Sequence, residues 1–363
     1  MNLSILRLAL SNKFHDSPYY NNNCCQKYLN IYDCMFKNLF SSVTVGHYSR
    51  LFVYRTNFLE LLSTAIRIDT GPYTNQIITK KFIPTQPYVF TYCVFSGISS
   101  SNDGGALYIS TTNSIPSIYH CIFQSCSSST TAGAFMLTSQ CSKAIINYTC
   151  VSNCYAPTTN GFRILCGGLV SSLISIYKCS ETQSGSYGSF WIENIFEKLS
   201  DLNSSYNCLV AHGAGIRIHN APNCVIERSH IEACISMSIL IIFYSRDFVL
   251  NNMNLVNNSE SRDYIIHIDN EICIQRSYLF GNKGKYLSQN TLTFSECVFD
   301  IDRNNNWIYI SSNLFNIEST LLLDLDVLNS IKCRELFDQI GIQTKIIKGS
   351  LRNVFAYFLM MNI

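Results

Sequence analysis

Charge is scarce in this chain. Only 14% of its 363 residues are charged, and the formal net charge is +2. A nucleic-acid binder presents a basic stripe, so this thin supply of cations argues against nucleic acid as a partner. Proline is also scarce, at 7 residues. No segment approaches the ~20 consecutive apolar residues of a membrane-spanning helix. The opening Met1-Asn-Leu-Ser-Ile-Leu-Arg-Leu-Ala-Leu is short and interrupted by Arg7, so it does not read as a signal peptide, and localisation stays open. Chemical signatures are missing too. No Asp-Asp or Cys-x-x-Cys pair occurs, and Gly167-Gly168 has no Lys-Ser/Thr after it, which removes the phosphate loop. No His follows the cysteines at zinc spacing. Neither a metal nor a cofactor is expected.

What is present is a repeat. Apolar residues make up 47%, with 22 Tyr and 22 Phe among many Ile, Ser, Thr and Asn, a composition of strands and turns. Gly105, Gly133, Gly161, Gly188 and Gly215 lie 28, 28, 27 and 27 residues apart, and each opens a short apolar strand. Cys121-Ile-Phe123-Gln-Ser-Cys126 is followed by Cys150-Val-Ser-Asn-Cys154, with Cys126 and Cys154 again 28 apart. Such a period signals one supersecondary unit per repeat, stacked so that neighbours bury each other's apolar faces. After Gly215 the period shortens to 24, through Cys234, Asn258 and Asn282, where Asn at the turn can form a ladder. The expected fold is all-β: a parallel β-helix solenoid with coils of about 24–28 residues.

The 17 cysteines admit two readings. In an oxidising compartment they form disulfides, with at least one thiol left over. In a stacked repeat they act as small apolar residues filling one interior position coil after coil. The spacing of Cys126 and Cys154 favours this buried ladder.

Along the chain, residues 1–47 read as an irregular segment with a possible first coil, introduced at Cys34-Met-Phe36. Residues 48–318 read as the β-helix and 319–363 as a last coil or cap, with a short helix near Arg334 to Ile340. Tyr48 to Asp69 fits helical spacing and alternation equally. The glycine alignment also carries an internal conflict. Two and four places after the glycine stand Leu107 and Ile109, Phe135 and Leu137, Phe190 and Ile192, but Arg163 and Arg217 interrupt the pattern in the other two coils. Either a local slip places both arginines outside, or the glycine alignment is one residue off there.

Gly104-Gly-Ala-Leu107 followed by Phe123-Gln-Ser-Cys126 resembles the GGA(I/L)…Fxx(N/C) repeat of polymorphic membrane proteins and of similar surface-protein families in protozoan parasites. More broadly, residues 30–310 resemble the pectin-lyase-like superfamily. The resemblance implies a right-handed β-helix. It also implies a surface or secreted adhesin without enzymatic activity, whose partner is a host-surface protein or glycan. The same fold carries polysaccharide lyases and glycoside hydrolases, which is the alternative, and an intracellular repeat scaffold is a third.

A hydrolase needs two or three carboxylates on adjacent coils, and a lyase needs a cluster of carboxylates with an Arg or Lys base. From Cys93 to Ser200 the carboxylates are only Asp103, Glu181, Glu193 and Glu197. The one catalytic suspect is His212-Gly-Ala-Gly-Ile-Arg217-Ile-His219. It is similar to polygalacturonase motifs but stands where their upstream aspartates are absent. The densest charged group, Arg246, Asp247, Arg262, Asp263, His267 and Asp269, reads as a shallow binding patch if Arg246-Asp247 and Arg262-Asp263 lie on neighbouring coils. The plainer account is paired surface charge at turns. Asn147, Asn203 and Asn257 fit the glycosylation pattern, which matters only for a secreted chain.

Overall fold

The computed structural model of the chain describes residues 2–11, 19–21, 28–46, 48, 50–69, 86–111, 114–179, 187–193, 198–209, 212–284, 286–288, 290–300, 307–311, 314–315, 333 and 336. These form a parallel β-solenoid. Each strand pairs in parallel with its counterparts in the coils on either side, as Arg50–Tyr54 does with Tyr28–Tyr32 and Gln86–Thr91. Stacking already begins at Asn2–Leu6, which pairs with Tyr28–Tyr32. Residues 1–47 therefore contribute strands to two coils. Tyr48 to Asp69 follows alternation, as Arg50–Tyr54, Asn57–Leu59 and Ile66–Asp69.

Two rows of single residues in the left-handed region run along the solenoid, joined in its later coils by Asn220, Asn223, Tyr244 and Asp247. One row runs Asp33, Arg55, Tyr92, His120, Tyr148 and on to Glu296; the other runs Asn38, Glu60, Gly97, Ser125, Asn153 and on to Gly281. Side chains such as Arg, Tyr and His adopt this backbone at a cost of roughly 1–2 kcal/mol each. The cost is offset because these N–H groups bond the next coil: Tyr92 donates to the Tyr119 carbonyl at 3.1 Å, His120 to that of Asn147 at 3.1 Å and Gly281 to the Asp300 carboxylate at 2.6 Å.

The cysteines follow from these bends. In many coils the residue after the first bend is small and carries a donor that bonds the carbonyl two residues back; Leu8, Ile174, Leu202 and Met253 take that place in others. Cys121 Sγ reaches Tyr119 O at 3.2 Å, Thr149 Oγ1 reaches Asn147 O at 3.2 Å and Ser229 Oγ reaches Glu227 O at 2.9 Å. After the second bend, Cys126, Cys154, Cys179 and Cys234 do the same. Cysteine alternates with Ser and Thr in one column because both offer a small body and a donor. Twelve described cysteines are free and ten of these are buried, so the ladder reading holds for them. Burial pushes the Cys126 and Cys154 thiols well up, and those of Cys224 and Cys234 to about 12. A buried thiol held protonated is a poor nucleophile. A thiol reagent should therefore modify few cysteines in the native protein and at least these 12 after unfolding. Mass spectrometry after alkylation checks this; finding most of the 17 cysteines paired before reduction would overturn the ladder.

The Cys-x-Phe unit places a phenylalanine two residues further into the core. Phe36, Phe58, Phe95 and Phe123 stack with ring centroids 5.4, 4.8 and 4.7 Å apart, all fully buried. A second stack, Phe135 and Phe162 at 4.4 Å, lines the opposite strand row. The asparagine ladder forms as well: the Asn258 side-chain amide donates to Asn282 Oδ1 at 3.0 Å, and Asn258 Oδ1 accepts the Cys234 N–H at 3.0 Å.

The glycine conflict resolves as an alignment one residue off. Leu107, Phe135, Phe162 and Phe190 are level with one another, as are Trp191 and Arg217. Gly161 is thus level with Ala134, and Gly215 with Ser189. The repeated glycines occupy two adjacent rows, in both of which backbones approach closely. A Cβ on Gly105 would run into the Gly133 carbonyl oxygen, and one on Gly161 into that of Ser189. A register shift does occur in the coil that contains Gly215, between His212 and Ile216 against the coil that follows.

The expected coil or cap at 319–363, with its short helix, lies outside the described residues except for Cys333 and Leu336. These two sit on the flank of the solenoid, in a small apolar cluster with Val94, Ile122 and Cys150. Cys333 is disulfide-bonded to Cys150, 183 residues earlier.

Candidate functional site: an arginine–tryptophan column

Alternation along the strands sets what faces outward. Phe162 and Ile164 point into the core, as do Phe190 and Ile192, and Ile216 and Ile218. The residues between them, Arg163, Trp191 and Arg217, stand one above another on the outer face, followed by Ile241 and His267. Strands in adjacent coils are about 4.8 Å apart, which suits cation–ring stacking.

Arg163 Cζ lies 3.9 Å from the Trp191 ring centroid, and Arg217 Cζ lies 4.9 Å from the same centroid. Arg217 also faces Tyr187 at 4.7 Å and Phe243 at 5.8 Å. Enclosed in this way, Trp191 is only 9% exposed although it lies outside the solenoid core. Gly188 and Gly213, both at positive φ, keep the space beside the Arg217 stem clear. A Cβ on either would lie 3.2 Å from Arg217 Cβ.

The two arginines differ electrostatically. Arg163 Nη2 donates to Glu193 Oε1 at 3.1 Å. Arg217 is half-buried and, among the described residues, no carboxylate pairs with it. Its Nε is buried without a hydrogen-bond partner. Burial pulls its pKa down, against the opposing influence of Tyr187 and Glu193. It remains charged at any ordinary pH.

His267 extends the column, its ring 4.9 Å from that of Phe243, 6.0 Å from Tyr264 and 6.1 Å from His212. The suspects His212 and Arg217 therefore share this patch, while His219 packs on Tyr244 at 4.9 Å. The backbone of the charged group is spread over several segments. Arg246 and Asp247 are exposed in the turn before Phe248–Val256, whose Phe248 is level with Ile272. Arg262 and Asp263 lie on the strand Ser259–Ile268 where it runs beside Ser236–Ser238; their side chains are outside the described residues. Asp269 is exposed and accepts the Tyr244 N–H at 2.5 Å.

Elsewhere, carboxylates are paired across coils. Asp33 holds Arg55 with bonds of 2.6 and 2.9 Å, and Asp201 holds Arg228 with bonds of 2.8 and 2.9 Å. Glu227 meets Lys198 and Arg228. Burial alone would raise the Asp201 pKa, but hydrogen bonds from Arg228, Ser200 and Ser172 outweigh it and hold the carboxyl below its ordinary value. Such a group stays ionised, unsuited to donate a proton as a general acid. Among the described residues no group of three or more His, Cys, Asp or Glu is arranged to hold a metal ion.

No family model, curated protein or solved structure matches the chain. Its functional reading therefore rests on the outer face of the solenoid. Trp191, Tyr187 and Phe243 were not legible as site residues, although Trp191 lies one coil from each outward arginine, at spacings of 28 and 26 residues.

Proposed function

We propose that this protein is a non-enzymatic recognition solenoid, a right-handed, pectin-lyase-like β-helix of the surface or secreted adhesin type. The observation that carries this reading is the division of charge on its outer face. Among the described residues Asp33, Glu193, Asp201 and Glu227 are tied to arginines, whereas the cation at Arg217 is surrounded by rings with no carboxylate pairing it. That arrangement suits binding and leaves general acid–base chemistry unprovided. The disulfide between Cys150 and Cys333 supports an oxidising compartment. The free thiols do not oppose it, because most of them follow a bend, where the coil calls for a small donor.

Incubation with a panel of acidic polysaccharides tests the reading. No new reducing ends and no unsaturated product absorbance are expected, with or without Ca²⁺. Time-dependent release of either would establish the carbohydrate-active enzyme instead.

A further inference from the structure

Resting on that reading, we propose that the patch built on Arg217, Trp191, Tyr187 and Phe243 binds a glycan carrying a solitary acidic group, a carboxylate or a sulfate ester, with Arg217 as the anion-binding residue. Three features of the patch point this way.

The first is the unmatched cation. A guanidinium taken partly out of water without a carboxylate in hydrogen-bonding contact forfeits hydration, and an incoming oxyanion restores the balance with charge-assisted hydrogen bonds. Arg163, one step beyond Trp191, already has that anion in Glu193 at 3.1 Å. Arg217 does not, and the rings at 4.7, 4.9 and 5.8 Å fix its plane before any ligand arrives. A cation ordered in advance loses less entropy on binding.

The second is the sparse charge. An isolated half-buried cation enclosed by rings, on a chain of net charge +2, suits a ligand with isolated acidic groups better than a polyphosphate backbone. The surrounding surface is amphipathic rather than basic, with Tyr187 at 42% exposure beside the half-buried Phe243 and Tyr264. Aromatic faces of this kind accept the C–H faces of sugar rings while their polar tips stay in water.

The third concerns the backbone. Strand rows through this patch are hydrogen-bonded to the coils on both sides, as Trp191 is between Arg163 and Arg217. A peptide therefore has no strand edge to extend here. Recognition must come from side chains alone, which favours a sugar acid over an acidic peptide.

The site supplies its own probe, since Trp307 is the only other tryptophan. In a W307F protein, Trp191 fluorescence is titrated with 3′-sialyllactose, lactose 3′-sulfate, lactose and a short Glu-rich peptide. A saturable change is expected with one or both acidic sugars and not with lactose or the peptide. The acidic sugar that binds identifies the group as carboxylate or sulfate. Arg217→Gln, checked for folding by circular dichroism, should weaken binding at least about tenfold. Arg50→Gln, at a cation stacked on Tyr28 in a distant coil, should leave it unchanged. Equal binding of lactose, equal binding of the peptide, undiminished binding by Arg217→Gln, or no binding by any probe overturns the site and leaves the non-enzymatic reading standing. Binding followed by release of free sialic acid supports the site and overturns that reading instead.

Discussion

Phe95→Ala is expected to cost about 3–5 kcal/mol of folding stability, the range for removing a buried aromatic side chain. Phe95 is fully buried, between Phe58 at 4.8 Å and Phe123 at 4.7 Å, with the ring planes of both pairs nearly parallel. Truncation removes two ring contacts and leaves a cavity spanning three coils, which rigid backbone ladders on either side cannot close. The consequence should extend beyond one residue. In a solenoid each coil touches only its neighbours, so a weak interface splits the cooperative unit. Trp191 lies on the C-terminal side of the break. Urea unfolding followed by far-ultraviolet circular dichroism should therefore begin at lower urea than the change in Trp191 fluorescence, whereas the two coincide in the wild type. Phe95→Leu, which keeps most of the volume, should recover most of the loss. A cost below about 1 kcal/mol for Phe95→Ala would show that these rings are not a packed column.

The same column explains what could be read from sequence. Cys-x-Phe was visible at Cys34, Cys93, Cys121 and Cys297 because one physical need, a small donor after a bend and then a core ring, recurs in several coils. The register of the arginines was harder. Glycine was the more conspicuous marker, but it occupies two adjacent rows, and alternation of apolar residues around Arg163 and Arg217 was the better guide. The bends themselves were illegible. Arg, Tyr, His and Leu do not favour a left-handed backbone locally, and they adopt it here because a hydrogen bond to the next coil requires it. The candidate site was half legible for a related reason. Arg217 and His267 stood out by residue type, but Trp191 acquires its meaning only once the coils place it between two arginines. Arg246-Asp247 and Arg262-Asp263 looked like neighbours by spacing alone, and the register puts them at different strands. The disulfide could not be deduced at all, since counting cysteines does not determine their pairing.

Cys333→Ser is expected to have the second large effect, because it removes the one long-range tie among the described residues. Strand pairing makes Val94, Ile122 and Cys150 a vertical stripe over three successive coils. All three face outward yet are buried, covered by Cys333 and Leu336. The bond closes a loop of 183 residues, and by chain entropy such a crosslink disfavours the unfolded state by about 5 kcal/mol. Without it, Leu336 keeps its apolar contacts but loses the covalent tie beside them. The variant should lose C-terminal fragments to limited proteolysis, expose the Cys150 thiol to alkylation in the native state, and unfold at lower denaturant. Mild reduction of the wild type should reproduce all three effects while the ladder thiols stay protected, since burial and not oxidation shields them. Unchanged protease resistance and an unchanged midpoint would mean that the flank contact contributes nothing. The tie matters because everything else in the fold is nearest-neighbour: a crosslink laid across three coils couples rungs that would otherwise open one at a time.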